Sequence, residues 1–495
     1  MRTGLIDEVR RVIDAAQAVL NAADQKFALT EARERLDGPL RVAIAGKVKA
    51  GKSTLLNALV GQQVAPTDAG ECTRIVTWYR NSHRYQVMMH PRQGEPAELR
   101  YRHNGGGLEI DLGQWTPDQV KRIEVAWPST KLQAITLIDT PGLASLSAEV
   151  SARTLEFLGP QESLSGADAV IYLMRHLHEN DLRFLEAFRD EEGRENRAPI
   201  HRLGVLSRAD EIGGCTASSM DAAQRVAARW RTDSRLRQLC QTVIPVAGLL
   251  AQAATTLRED EFLSLRDLAS LPGHELEAVL LSADRVRYRP ISGDVAAEAR
   301  RSLLDRMGLL GIRLAVGWIA AGTVTSSPEL ATALVRASGL EQLRDSLTRQ
   351  FEFRAQVLKA RSGLQAVEQA LGTQDDAPAH RLRREVQRIE LGAHEIAEID
   401  LLSRLRSDAL EVPEEYVSEA ERLLGGEGPE PALRLGCPGA TPAEELRIAA
   451  IEAATKYRRL AVHPLASRSV SDLADAVVRT CEGLIADLAS PGGAS

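Results

Sequence analysis

Eight consecutive residues, Gly46-Lys47-Val48-Lys49-Ala50-Gly51-Lys52-Ser53, match the pattern G-x-x-x-x-G-K-[ST]. Glycines at both ends let backbone N–H groups converge on phosphate oxygens, at the start of a helix that continues through Thr54. Lys52 is then placed to bridge the β- and γ-phosphates of a nucleoside triphosphate, and the Ser53 hydroxyl to take Mg²⁺. The loop also concentrates charge: it holds three of the chain's eight lysines, in a sequence whose other basic residues are all arginine.

Three further segments complete the chemistry that such a loop requires. Asp139-Thr140-Pro141-Gly142 closes an apolar run, so Asp139 is expected to hold Mg²⁺ and the Gly142 N–H to report the γ-phosphate. Thr73, twenty residues after Ser53, is expected to coordinate the same ion while that phosphate is present. Ser207-Arg208-Ala209-Asp210 stands where guanine-binding domains carry N/T-K-x-D. In that role Asp210 accepts guanine N1–H and the 2-amino group and the Arg208 stem covers the ring; otherwise Asp210 is a solvated loop acid. Gly248, in Val246-Ala247-Gly248, is a candidate to offer backbone N–H groups to guanine O6.

The elements that must position these residues are legible as hydrophobic runs. Leu40–Ala45 reads as a strand leading into the loop, and 54–60 as the helix leaving it. Further short apolar runs lie at 75–79, 123–127, 135–139, 169–174, 203–207 and 243–246, with Gly105-Gly106-Gly107 turning a hairpin between 98–101 and 108–110. Buried runs alternating with helices indicate an α/β fold, a mostly parallel sheet with helices on both faces.

Apolar spacing over 5–36 predicts one amphipathic helix, stopped at Gly38-Pro39. After about residue 250 the strand signal ends, and stripes at 340–371, 382–396 and 443–489 predict an α-helical bundle. The stretch 307–324 is read as a buried helix and not a membrane span, because it contains Arg313 and four glycines. The expected organisation is 1–38 as an N-terminal helix, 39–340 as the nucleotide-binding domain, and 341–495 as a helical bundle.

Composition narrows the function. The chain has 495 residues, 61 Lys+Arg against 68 Asp+Glu, a net charge of −7 and 4% aromatic residues. No nucleic-acid partner is expected from an acidic chain with so few aromatics. The five cysteines are scattered without a C-x-x-C pair, which reads as free thiols in a reducing compartment, and the acidic N-terminal residues lack a signal peptide's apolar core. A cytoplasmic location is expected.

The loop with its Lys-Ala-Gly-Lys-Ser core, Thr73-Arg74 at that spacing, Asp139-Thr140-Pro141-Gly142 and flanking long helices resemble the bacterial dynamin-like GTPases. Ala65-Pro66-Thr67-Asp68, Glu71–Trp78 and Ser207–Gly213 are similar to the shorter, C-type form of the mycobacterial isoniazid-inducible group. The resemblance implies GTP hydrolysis with Mg²⁺ in a GTPase domain, and nucleotide-dependent association with itself or a paralogous dynamin-like GTPase. It makes 1–38, with the start of 341–495, a neck and the rest of 341–495 a trunk. It also implies remodelling of a lipid membrane from the inner face of the plasma membrane. Dynamins carry glutamine and serine where this chain has Val48 and Lys49; Lys49 is therefore expected either to supply charge at the transition state or only to strengthen phosphate binding. The Gly/Pro-rich segment 425–442 is read either as a membrane-facing trunk tip or as an ordinary connection between helices.

Overall fold

The computed structural model describes residues 4–66, 75–104, 107–141, 167–190, 202–292, 295–352, 354–406, 410, 412–464 and 466–489. Within them a nine-stranded sheet has the order β11-β10-β9-β1-β8-β2-β7-β3-β4. Its strands are β1 (Leu40–Gly46), β2 (Thr77–Asn81), β3 (Gln86–Pro91), β4 (Ala97–Glu98), β7 (Val120–Trp127), β8 (Ile135–Asp139), β9 (Ala169–Met174), β10 (Arg202–Ser207) and β11 (Thr242–Val246). A separate antiparallel hairpin joins β5 (Arg100–Asn104) to β6 (Gly107–Asp111), where the triple glycine predicts it. Pairing is parallel from β11 through β8 and again between β2 and β7, and antiparallel at β2–β8, β3–β7 and β3–β4. The sheet is therefore mostly parallel, as expected. The sequence reading omits β3, whose alternating burial and lone Val87 and Met89 give no continuous apolar run.

Strands β9 and β10 are buried along their whole length, which explains why they read as unbroken apolar runs. One face of the sheet packs on Leu55, Leu56 and Leu59 of the helix after the loop, together with Leu340, Leu343 and Leu347. The other face packs on Ala223, Ala227 and Leu236. Beyond β11 every described element is helical. The stretch 307–324 falls largely within the helix Ala297–Ala320, whose Leu303, Met307, Ile312 and Ala315 join a buried helical cluster. No helix among the described residues is long and apolar enough to cross a membrane.

The expected single N-terminal helix is two: α1 (Leu5–Val19) and α2 (Ala23–Asp37), with Leu20 in extended backbone between them. A continuous helix over 5–36 would be about 48 Å long and would carry its second half past its packing surface. Folding back lets Val9, Ile13 and Ala16 of α1 and Leu29, Ala32 and Leu36 of α2 share one core with the helix Ala355–Leu371. Gly363 permits the approach, since a Cβ there would stand 2.8 Å from Val9 Cγ1.

The Gly/Pro-rich segment also departs from its outlying reading. Gly425 and Gly426 are buried, and their carbonyls accept bonds from Arg354 and from Gln241 Nε2 (3.3 Å), beside the start of β11. Gly425 takes φ +80°, a conformation that side chains disfavour, with Arg354 Nη2 2.7 Å from where a Cβ would stand. This end of the segment is docked and is not a free tip.

A buried carboxylate anchors the last helices. Glu398 accepts bonds from Arg434 (2.8 Å) and Thr480 Oγ1 (2.6 Å), with His394 Nε2 at 3.4 Å. Burial alone would raise its pKa; His394, Arg434 and Thr480 outweigh burial and hold it at about 2. A carboxylate depressed on folding contributes stability that is complete above the ordinary value of 4.5 and is lost as pH falls towards about 2. Glu398→Gln should therefore cost on the order of 2–3 kcal/mol at pH 7 and progressively less below pH 4.5, measured as thermal-unfolding shifts across pH.

Candidate nucleotide site

The site lies at the carboxyl ends of the parallel strands, where β1 sits between β8 and β9 and the chain order departs in both directions. Open α/β sheets bind ligands at such switch points. β1 ends on Gly46 at φ +150°, and a Cβ there would stand 2.8 Å from the Leu173 carbonyl oxygen of β9. Glycine is thus required for the loop to leave the sheet. The loop turns through Ala50 N–H donating to Lys47 O (3.1 Å), passes Lys49 at φ +63°, and reaches Gly51 at φ +96°.

Gly51 caps the helix α3 (Lys52–Val60), whose first turn has no side-chain cap. Its leading N–H groups are therefore free to receive an anion. Lys52 is buried, with Nζ 3.4 Å from both the Gly46 and Lys47 carbonyl oxygens, and burial lowers its pKa against the pull of Asp139.

Ser53 Oγ donates to Asp139 Oδ2 at 3.0 Å, while Oδ1 of the same carboxylate is buried without a partner. Burial pushes Asp139 up to about 6, although Lys52 and Ser53 favour its ionised form. A hydroxyl beside a carboxylate with a free, desolvated oxygen is a donor set that suits a hard divalent cation. Thr140 returns its N–H (3.3 Å) and Oγ1 (2.9 Å) to Ile44 O, and so ties the strand end to β1. Thr73 and Gly142 lie outside the described residues.

A cavity of about 210 Å³ adjoins the loop, lined by Gly51, Thr54, Ser207, Arg208, Asp210 and Gly248 among others. Asp210 stands in a short 3₁₀ turn, and burial raises its pKa. Arg208 adopts φ +52° and spans two partners, Glu211 Oε1 (3.0 Å) and the Lys49 carbonyl (3.2 Å). The latter bond holds the strained Lys49 backbone and links the two loops. Ser207 Oγ is buried without a partner. Gly248 starts the helix Gly248–Thr255 with its open side towards Thr54 Cγ2. Lys47, Val48 and Ala50 occupy the loop as expected; Val48 and Lys49 are exposed. The loop, Asp139 and Ser207–Asp210 are thus brought together, with Gly248 beside them.

Sequence reasoning misses two contributors. Asp181, 134 residues from Lys47, takes its ammonium at 2.8 Å; nothing local in the sequence marks that pairing. The helix Ala297–Ala320 breaks at Gly308, φ +69° and ψ 176°. A Cβ at Gly308 would come within 3.8 Å of Asp210 Oδ2 and of Leu249 Cδ2, so the helical region backs two residues of the cavity lining. A glycine inside a helical pattern is the only sequence signal for that approach.

The sheet, the loop and the two flanking motifs define a P-loop nucleotide-binding protein. The family model described as Dynamin family matches residues 42–206. Isoniazid-induced protein IniC of Mycobacterium tuberculosis is 38% identical over 491 residues, covering 98% of this chain and 99% of that protein. Isoniazid-induced protein IniA of the same species is 30% identical over 182 residues, 34% of this chain and 27% of that protein. A bacterial dynamin-like protein of Nostoc punctiforme is 31% identical over 150 residues, 28% of this chain and 20% of its own length. The chain belongs to the dynamin family, and its likeness to the isoniazid-induced protein IniC extends from end to end.

Behind Val246 and Gly248 of the cavity lining lies one close crossing. Ala247 N–H donates to Ser338 O (2.9 Å), and a Cβ on Gly339, φ +79°, would lie 2.2 Å from Pro245 O. Gly339→Ala should lower stability by about 2–4 kcal/mol, whereas Gly483→Ala, in a helix with open space around it, should be neutral or stabilising by up to about 1 kcal/mol. Thermal unfolding of the two variants checks this.

Proposed function

We propose that this chain hydrolyses GTP to GDP and phosphate and couples the cycle to self-association on a membrane. The observation that carries the reading is the cavity of about 210 Å³ that Gly51 and Thr54, at the uncapped start of α3, line together with Arg208, Asp210 and Gly248; it supports a base held beside Asp210 with its phosphates directed to the loop. In this reading the backbone from Gly46 through Thr54 cradles the phosphates and Lys52 neutralises the β- and γ-oxygens. Arg208, Asp210 and Gly248 receive the base, with Asp210 discriminating guanine through N1–H and the 2-amino group.

Ser53, Asp139 and Thr73 would hold Mg²⁺, which supplies charge neutralisation across the β- and γ-phosphates when bound. The reaction needs a water to attack the γ-phosphorus in line while the bond to the β-phosphate oxygen breaks. Gly142 and Thr73 would register the loss of phosphate. Lys49 is the proposed source of transition-state charge: its side chain is exposed, and it enters none of the ion pairs formed among the described residues.

Residues 39–340 act as the GTPase domain in this proposal, and 1–38 with 341–495 as the neck and trunk that carry the motion. The site of action is the cytoplasmic face of the plasma membrane, reached peripherally. A second reading, a nucleotide-holding partner of a paralogous GTPase, is favoured by Val48: its exposed side chain has no polar atom to orient water.

Turnover and co-sedimentation with liposomes, measured together, test the whole. GTP turnover with lipid binding supports the proposal; nucleotide binding without turnover, relieved by a paralogue, supports the second reading. Lys49→Ala should lower kcat by about 100-fold or more with GDP affinity nearly unchanged; a wild-type rate removes Lys49 from catalysis. Asp210→Asn should weaken GTP by about 100-fold and shift preference towards xanthosine triphosphate, which presents an acceptor where guanine has its amino group.

A further inference from the structure

The three lysines of the phosphate loop have three different environments. Lys52 is buried among loop carbonyls, Lys49 is exposed, and Lys47 is bound to an acid on the neighbouring strand–helix unit. That acid, Asp181, lies in the first turn of the helix Glu179–Asp190, which follows β9. Its side chain is 2% exposed. It accepts three bonds: from Lys47 Nζ (2.8 Å), from Tyr172 OH on β9 (3.1 Å) and from the His178 backbone N–H (3.3 Å).

A carboxylate this deeply buried requires its counter-charge, because separating the pair would strand an uncompensated ion. Lys47 therefore stays paired and does not swing to a phosphate. The consequence reaches Lys52 through the backbone. The Lys47 carbonyl accepts the Ala50 N–H that closes the loop turn, and is one of the two oxygens on which Lys52 Nζ rests. Immediately before it, Gly46 lies against Leu173 O of the same strand, so the loop is held to β9 by one apposition of backbone and one ion pair.

We infer that Asp181 is a positioning residue for the phosphate loop: by holding the Lys47 ammonium it fixes the Lys47 carbonyl, and with it the ammonium of Lys52 that meets the β- and γ-phosphates. This rests on the GTPase reading and adds to it a residue outside every nucleotide-binding motif of the chain. The Lys47–Asp181 pair touches no part of the base cavity, so its loss should act on phosphate recognition alone.

Titrating GDP and IDP, with Mg²⁺, into wild type, Asp181→Asn, Asp181→Glu, Lys47→Met and the Lys47→Met/Asp181→Asn double variant tests this. Both single losses should weaken GDP and IDP equally, by about 10-fold, leaving the ratio of the two affinities unchanged. The double variant should bind no more weakly than the weaker single variant, and Asp181→Glu should recover most of the affinity. Wild-type GDP affinity in Asp181→Asn, a changed GDP-to-IDP ratio, or additive losses would each overturn the inference. If Asp181→Asn does not fold, Lys47→Met, whose parent side chain is 38% exposed, carries the GDP-to-IDP comparison. A wild-type protein with no affinity for GDP overturns the GTPase reading itself, an outcome distinct from failure of the tether.

Discussion

Where β1 ends, its backbone passes so close to β9 that the Leu173 carbonyl fills the space a side chain on Gly46 would need. That apposition sets the direction in which the loop departs, and the loop's direction sets the start of α3. From there the helix carries Ser53 to Asp139 on one side and Thr54 towards Gly248 on the other. A larger residue at Gly46 would force the two central strands apart at the level where Ser53 meets Asp139 and the cavity beside Asp210 is assembled. Much of the sheet beyond this point is a frame for that one crossing: two wholly buried strands and an apolar layer on each face.

The electrostatics of the site follow from the same crowding. Lys52 and Asp139 are both desolvated, each shifted towards its neutral form by burial and each partly restored by the other. Two polar atoms there, Asp139 Oδ1 and Ser207 Oγ, are buried without partners among the described residues. Buried polar groups usually find partners within the fold, since leaving one unpaired costs about 1–3 kcal/mol. A site with two left open favours a polar ligand that completes them, and this accompanies the strained backbones of Lys49 and Arg208.

The helical regions are not appendages to this centre. Gly308 brings a broken helix against Asp210 and Leu249, Gly339 crosses beneath β11, and α2 leads directly into β1. Gly425 and Gly426 dock beside the start of β11, at the end of the sheet opposite the nucleotide site. At Gly339 and Gly426 a side chain would collide with backbone, and at Gly308 the positive φ is what favours glycine; glycines in helical or loop contexts carry no sign of which neighbour they will meet.

That divides what could be read from what could not. The sequence alone singled out Gly46–Ser53, Asp139 and the Ser207–Asp210 segment as candidates, and determined most strands of the sheet and the change to helices after residue 250. All of these are contiguous patterns, in which chemistry and periodicity are set by neighbours a few residues apart. Only the tertiary structure decided that residues 5–36 form two helices and not one, and that Gly425–Gly426 is buried. It alone brought Gly308 to Asp210 and paired Lys47 with Asp181. Those outcomes depend on which distant surfaces compete for the same buried space. No local pattern encodes that competition, because its energy exists only once the chain has closed on itself.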